Sequence, residues 1–123
     1  MFGIGTDIVE IDRIRQAVER WGDRFLRRVF TEQEIALCYG RKDPFPGLAA
    51  RFAAKEAMIK ASRVSLPYRD IEIVRGGTGS PSIALRGTAP ALLGKEECLL
   101  IHLSMSHERS HAVATVVLER EGK

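Results

Sequence analysis

With two cysteines in 123 residues and no CxxC pair, the chain has no material for a disulfide framework or a thiolate zinc site. Cys38 and Cys98 each stand beside a leucine, Leu37 and Leu99, which suits two thiols held in a core. No run approaches the roughly 18 apolar residues of a membrane span. Residues 1–7 carry neither the basic stretch nor the apolar stretch of a secretion signal. A cytoplasmic protein that does not enter the membrane is the expectation. The sequence has no GxGxxG and no GKS or GKT, so the glycines at 76, 77 and 79 read as a turn and not as a phosphate cradle. It has no GxSxG elbow either, and the adjacent Ser106 and His107 would face opposite ways on a strand, which excludes a Ser-His nucleophile. Repeats and low-complexity tracts are absent.

What is present fits one domain over residues 1–123, since 45% hydrophobic composition can fill a core at this length. The net charge is +3, and residues 11–30 hold a surplus of that size, with six arginines (13, 15, 20, 24, 27, 28) against Asp12, Glu19 and Asp23. A local basic face speeds encounter with an anionic partner. Nucleic acid fits poorly as that partner, because only Trp21 and Phe25 stand among the arginines as stacking groups.

Along the chain, residues 2–11 read as a buried strand that approaches something closely at Gly3 and Gly5. From Asp12, placed as an N-cap, Ile14, Ala17, Val18 and Trp21 recur at helical spacing until Gly22 stops the helix. Arg13, Arg20 and Arg24 fall along one side. Thr31 with Glu34 three residues later matches a capping box, which predicts a short helix to Tyr39. Residues 43–47, Asp-Pro-Phe-Pro-Gly, break the chain, and the alanine-rich stretch 48–61 is the strongest helix in the sequence. The second half reads as strands: 70–75 and 82–86 as a hairpin, then 98–105 and 112–118. The result is α+β, with helices on a mostly antiparallel sheet.

Two carboxylates stand out. Asp7 ends a glycine-containing strand, and Glu56 falls inside the apolar arc of helix 48–61 beside Leu48, Phe52 and Ile59. A buried carboxylate needs a partner. One reading is a plain surface pair between Glu56 and Lys60, one turn apart and worth about 0.2 to 0.5 kcal/mol. The other is that Asp7 and Glu56 hold a hard cation such as Mg²⁺, which binds through one or two carboxylates plus substrate phosphates, with Lys60 serving phosphate.

The stretches Gly3-Ile4-Gly5-Thr6-Asp7-Ile8, Arg51-Phe52-Ala53-Ala54-Lys55-Glu56-Ala57-Met58-Ile59-Lys60-Ala61 and Ser104-Met105-Ser106-His107 closely resemble the holo-acyl-carrier-protein synthases, small bacterial phosphopantetheinyl transferases, in order and over essentially the whole chain. Thr6, at a position that is often aliphatic, and the proline-rich loop 42–47 depart slightly from that pattern. The resemblance implies the 4′-phosphopantetheinyl transferase-like fold. It also implies Mg²⁺-dependent transfer of the phosphopantetheine arm of coenzyme A to a serine of an acyl carrier protein, with release of adenosine 3′,5′-bisphosphate, in the service of fatty acid synthesis. Under it Asp7 and Glu56 are the magnesium carboxylates, Glu56 and Lys60 act in catalysis, and Arg51, Lys60 and His107 contact coenzyme A. Arg13, Arg20 and Arg24 on the first helix dock the acidic carrier, and the assembly is a homotrimer with sites between subunits. Two alternatives remain: a basic binding module without catalysis, and a metal-dependent phosphohydrolase.

Overall fold

The computed structural model describes residues 3–75, 79–94 and 99–120; Cys98 and the glycines at 76 and 77 lie outside them. Strand β1 (Gly3–Glu10) runs straight into helix α1 (Ile11–Trp21), and α2 (Asp23–Val29) and α3 (Glu32–Tyr39) follow. Next come the long helix α4 (Phe45–Ser62), the hairpin β2 (Ile71–Arg75) and β3 (Pro81–Leu85), a short α5 (Ala89–Leu93), and the pair β4 (Leu99–His107) and β5 (His111–Arg120). The main sheet has the order β1-β5-β4, antiparallel throughout, and β2 and β3 form a second antiparallel sheet. The α+β class read from the sequence is the class observed. No helix among the described residues is long and apolar enough to cross a membrane.

α4 lies across one face of the main sheet. On β5 the face that meets it is Ala112, Ala114, Val116 and Leu118, all buried, while α4 buries Ala50, Ala53, Ala54, Ala57 and Ala61. Small residues let the two backbones come together, and the β1 glycines complete the fit. A Cβ on Gly3 would stand 2.1 Å from the carbonyl oxygen of Ala61, and one on Gly5 would stand 2.2 Å from that of Ala57. The close approach expected at these glycines is therefore to the α4 backbone, and it places Asp7 beside that helix.

Several expectations are corrected. β1 is buried on one side only: Val9 is in the core, but Ile4 and Ile8 are 56% and 65% exposed on the face that α4 does not cover. Asp12 does not cap α1. Glu10 holds the cap position, two residues earlier, and the helix begins at Ile11, whose N–H donates to the carbonyl of Ser110, while Asp12 sits in its first turn holding Arg15 and Gln16. Trp21 is 51% exposed, with the Arg20 guanidinium 5.2 Å from its ring centre, so the apolar side of α1 is Ile11, Ile14 and the half-buried Val18, without Trp21. α4 starts at Phe45, three residues before the predicted point, because Pro46 stands in its first turn, where a missing N–H breaks no helical bond. The expected stop at Gly22 is observed, with φ of 58°, as is the Thr31–Glu34 capping box. α2 and α5 are helices that the apolar periodicity does not announce. Cys38 is a free, fully buried thiol whose pKa burial pushes up, in keeping with a core role.

Candidate active site

Asp7 enters from β1, Glu56 from the body of α4 and Lys60 from its last turn. Asp7 and Glu56 line one cleft of about 390 Å³, with Val9, Ile14, Phe25 and Phe52 as apolar wall and Arg13 at the side. The Lys60 ammonium lies 2.9 Å from Asp7 Oδ1 and donates a second bond to the carbonyl oxygen of Thr6 at 3.0 Å. Asp7 is largely covered, while Lys60 is half exposed. Glu56 is half-buried and does not pair with Lys60. Its Oε2 accepts from the Tyr68 hydroxyl at 2.5 Å. The plain Glu56–Lys60 surface pair is thus not what this fold makes, because the strand supplies Lys60 with a nearer carboxylate.

Tyr68 carries no sequence signal beyond its place after Pro67. Its ring packs against Phe52 at 5.5 Å, and its pKa is pushed up to about 12, first by burial and then by the hydrogen bond to Glu56 and the charge there. Behind it lies a buried polar cluster that the sequence reading also missed. Lys55 is completely buried and donates to Glu34 Oε1 at 2.9 Å, to the carbonyl of Tyr68 at 3.0 Å and to that of Ile71 at 2.5 Å. Glu34 also accepts from the backbone N–H groups of Thr31 and Ile73, so its second role exceeds the capping box. Burial holds the Lys55 pKa below its ordinary value even against the attraction of Glu34. Glu72 closes the cluster, accepting from the Thr31 hydroxyl and Arg86. A signal existed, since Lys55 shares its helix stripe with Leu48, Arg51 and Met58, spaced three and four residues apart.

The other expected site residues lie apart from this cleft. Arg51 is 2% exposed inside α3 and α4, donating to the carbonyl of Gly47, with no partner for its Nε. Burial lowers its pKa. His107 is exposed at the end of β4, in register with Ala112 and so with Val9, which puts it on the sheet face that carries Asp7 but two strands over, about 10 Å from Val9 and farther still from Asp7. Arg24 lines a second cleft of about 670 Å³ with Trp21, Phe25, Arg27 and Arg28, and Arg20 stacks on Trp21. Of the three arginines assigned to one partner, Arg13 alone reaches the carboxylate cleft.

Residues 3–116 match the family described as the 4′-phosphopantetheinyl transferase superfamily. The chain is 50% identical to the holo-acyl-carrier-protein synthase of Chlamydia muridarum, over 97% of this chain and 95% of that one. The chain belongs to the holo-acyl-carrier-protein synthase family. The synthase of Thermus thermophilus is 44% identical, over 98% and 94% of the two chains. Among solved structures, the synthase of Neisseria meningitidis superposes with a TM-score of 0.87 at 33% identity, covering 97% of this chain and 98% of that one. The synthase of Helicobacter pylori in complex with coenzyme A gives 0.81 at 34% identity, covering 94% and 99%. The fold of a synthase is therefore present together with the cleft.

The donor set can be tested against a cation on its own chemistry. Among the described residues no group of three or more His, Cys, Asp or Glu is placed to hold a metal. That leaves no all-protein cage, and two carboxylates on one cleft are what Mg²⁺ uses when substrate phosphates and water complete its shell. The residues fit a hard cation shared with a phosphate-bearing substrate.

Proposed function

We propose that the chain is a single-domain, Mg²⁺-dependent holo-acyl-carrier-protein synthase, which moves 4′-phosphopantetheine from coenzyme A to a serine of an apo carrier protein and releases adenosine 3′,5′-bisphosphate. The observation that carries this reading is the convergence of Asp7 from β1 and Glu56 from α4 on one cleft, with the Lys60 ammonium paired to Asp7. Asp7 and Glu56 would hold the cation. Bound there, Mg²⁺ supplies positive charge against the pyrophosphate oxygens. The serine oxygen attacks the phosphorus that bears the pantetheine, the bond to the bridging oxygen breaks, and the serine proton passes to a base. Lys60 carries its ammonium on a half-exposed side chain beside Asp7, placed to turn toward and offset charge on the departing bisphosphate. Phe52, Ile14 and Val9 make one wall of the cleft apolar, and a less polar surrounding on that side strengthens these charge interactions.

Arg51 and His107 complete the coenzyme A site in this reading, and Arg13, Arg20 and Arg24 receive the acidic carrier. The protein is a homotrimer with sites between subunits. Two features support this: the separation of His107 from the Asp7 cleft within one chain, and the uncovered apolar side of the sheet, where Ile4 stands opposite Val117 and Ile8 opposite Val113. The process served is fatty acid and lipid biosynthesis, in the cytoplasm.

The test is incubation with coenzyme A, Mg²⁺ and an apo carrier protein, read by mass spectrometry of the carrier. Addition of the arm to serine, lost in Asp7→Ala and Glu56→Ala, is the expected result. Hydrolysis of coenzyme A with no modified carrier makes the chain a phosphohydrolase instead. Sedimentation velocity checks the assembly, and a fully active single-chain species overturns the trimer.

A further inference from the structure

Glu56 is held in an unusual way for a carboxylate on a cleft wall. One oxygen, Oε2, accepts from the Tyr68 hydroxyl at 2.5 Å, and among the described residues no donor meets the other. The tyrosine is itself fixed at both ends. Its ring lies on Phe52, one turn before Glu56 on α4, and its backbone carbonyl is tied to the buried Lys55 ammonium at 3.0 Å. That ammonium is in turn anchored by Glu34 and by the carbonyl of Ile71. The hydroxyl is therefore not a loose surface group that happens to meet a carboxylate. Lys55 and Glu56 are neighbours on α4, and the first, through the Tyr68 backbone, sets where the second finds its hydrogen bond.

The consequence is one of coordination. A carboxylate oxygen that accepts from a hydroxyl keeps one lone pair but gives up part of its charge, so the other oxygen, with both lone pairs free, is the one offered first to a cation, in a fixed direction. Mg²⁺, small and octahedral, takes carboxylates through one oxygen, whereas Ca²⁺ is larger and often takes both oxygens of one carboxylate. We propose that Tyr68 is a positioning residue that holds Glu56 in a one-oxygen mode and thereby biases the site toward Mg²⁺ over Ca²⁺. This rests on the reading that Asp7 and Glu56 are the cation's ligands. Tyr68 itself touches neither the cation nor the reacting phosphate. Its contribution is to make the second oxygen the poorer ligand and to spare Glu56 the entropy of finding its orientation on binding.

The experiment compares the full chain with Tyr68→Phe, which keeps the ring on Phe52 and removes only the hydroxyl. Mg²⁺ and Ca²⁺ are each titrated calorimetrically in the presence of coenzyme A, with circular dichroism to check the fold. Loss of an outer hydrogen bond to a ligand typically weakens metal binding about 10 to 100-fold. We expect the Mg²⁺ dissociation constant to rise about tenfold, at the low end of that range, while that of Ca²⁺ stays level or falls, so that the preference shrinks by at least as much. A merely structural role for Tyr68 would weaken both cations alike, and an unchanged ratio overturns the proposal. A second measurement needs no variant. In infrared difference spectra of the unaltered chain with Ca²⁺, one-oxygen binding keeps the carboxylate stretches widely split, and a narrowed, two-oxygen pattern overturns the proposal. If the unaltered chain takes up neither cation, the assignment of Asp7 and Glu56 falls and the role of Tyr68 with it. Cation binding with an unchanged preference in the variant refutes Tyr68 alone.

Discussion

Replacing Gly5 with alanine tests whether the approach of β1 to α4 builds the site. Gly5 points at α4 two residues before Asp7, on the same face of the strand. The added methyl would stand 2.2 Å from the Ala57 carbonyl oxygen, 2.7 Å from the Ala61 nitrogen and 2.9 Å from Lys60 Cβ, where ordinary contact begins at 3.4 Å. Two of these atoms are helix backbone and cannot swing aside. Relief requires strand and helix to part by about 1 Å, and a misplacement of that size can cost about 10²-fold in rate. The displaced segment is the turn between Ala57 and Ala61, which carries Lys60 and adjoins Glu56, while Asp7 stays with the strand. Overpacking costs about 1 to 3 kcal/mol, which a domain of typical stability, about 5 to 15 kcal/mol, survives. Gly22→Ala supplies the control. Its φ of 58° and ψ of −136° strain any other residue, yet no atom lies within 4 Å of the added Cβ. Such strain costs about 1 to 3 kcal/mol, a loss of the same size placed away from the cleft. Carrier modification is assayed for both variants at a temperature where each is folded by circular dichroism. With both substrates saturating, we expect kcat to fall about 100-fold in Gly5→Ala and to stay near normal in Gly22→Ala, whose neighbours Arg20 and Arg24 bear on carrier binding and not on the carboxylate cleft. Equal losses in the two, or a fully active Gly5→Ala, would show that the glycine contact does not set the geometry of the site.

The remaining predictions concern stability and the carrier surface. Lys55→Met strands Glu34 and two buried carbonyls, and breaking a buried pair costs about 3 to 5 kcal/mol. The melting temperature should fall on the order of 10 to 20 °C, and an unchanged melt would refute a structural role for the pair. Burial alone would raise the pKa of Glu72, but the hydrogen bonds from Thr31 and Arg86, with the Arg86 charge, bring it below the ordinary 4.5. A depressed carboxylate adds stability above its unfolded pKa and loses it as pH falls through its folded one. Urea midpoints between pH 7 and about 3.5 should therefore drop more in the unaltered chain than in Glu72→Gln; parallel curves would contradict this. Arg24 lines the second cleft and Arg13 the carboxylate cleft. Arg24→Glu should accordingly weaken carrier binding with a shallower salt dependence and leave coenzyme A affinity alone, whereas Arg13→Glu should weaken both. Equal loss of coenzyme A affinity in the two would remove that division.

Features set by a few neighbouring residues are legible in the sequence itself. Thr31 and Glu34 close a capping box within one turn, the alternation along β4 and β5 assigns their faces, and Gly3 and Gly5 announce a close neighbour without naming it. What the sequence does not order is which charge meets which. On α4, Lys55 and Glu56 are adjacent and about 100° apart on the wheel, and both border apolar residues, so periodicity alone nominates either for burial. The fold sends Lys55 fully inward because Glu34 from α3, the Tyr68 carbonyl from the turn before β2 and the Ile71 carbonyl at its start converge on it. Glu56 is then left at the cleft. Lys60 shows the same dependence from the other side. Helical spacing offers it Glu56, at a few tenths of a kcal/mol for an exposed pair. It takes Asp7 instead, because Gly5 lets β1 cross α4 closely enough for a four-carbon stem to span the gap and find the Thr6 carbonyl as well. The two glycines thus decide the ion pairing of a residue 55 positions downstream of Gly5. The sequence nominates Asp7, Glu56 and Lys60 but not Tyr68, and which of them meet follows only once the distance between strand and helix is known.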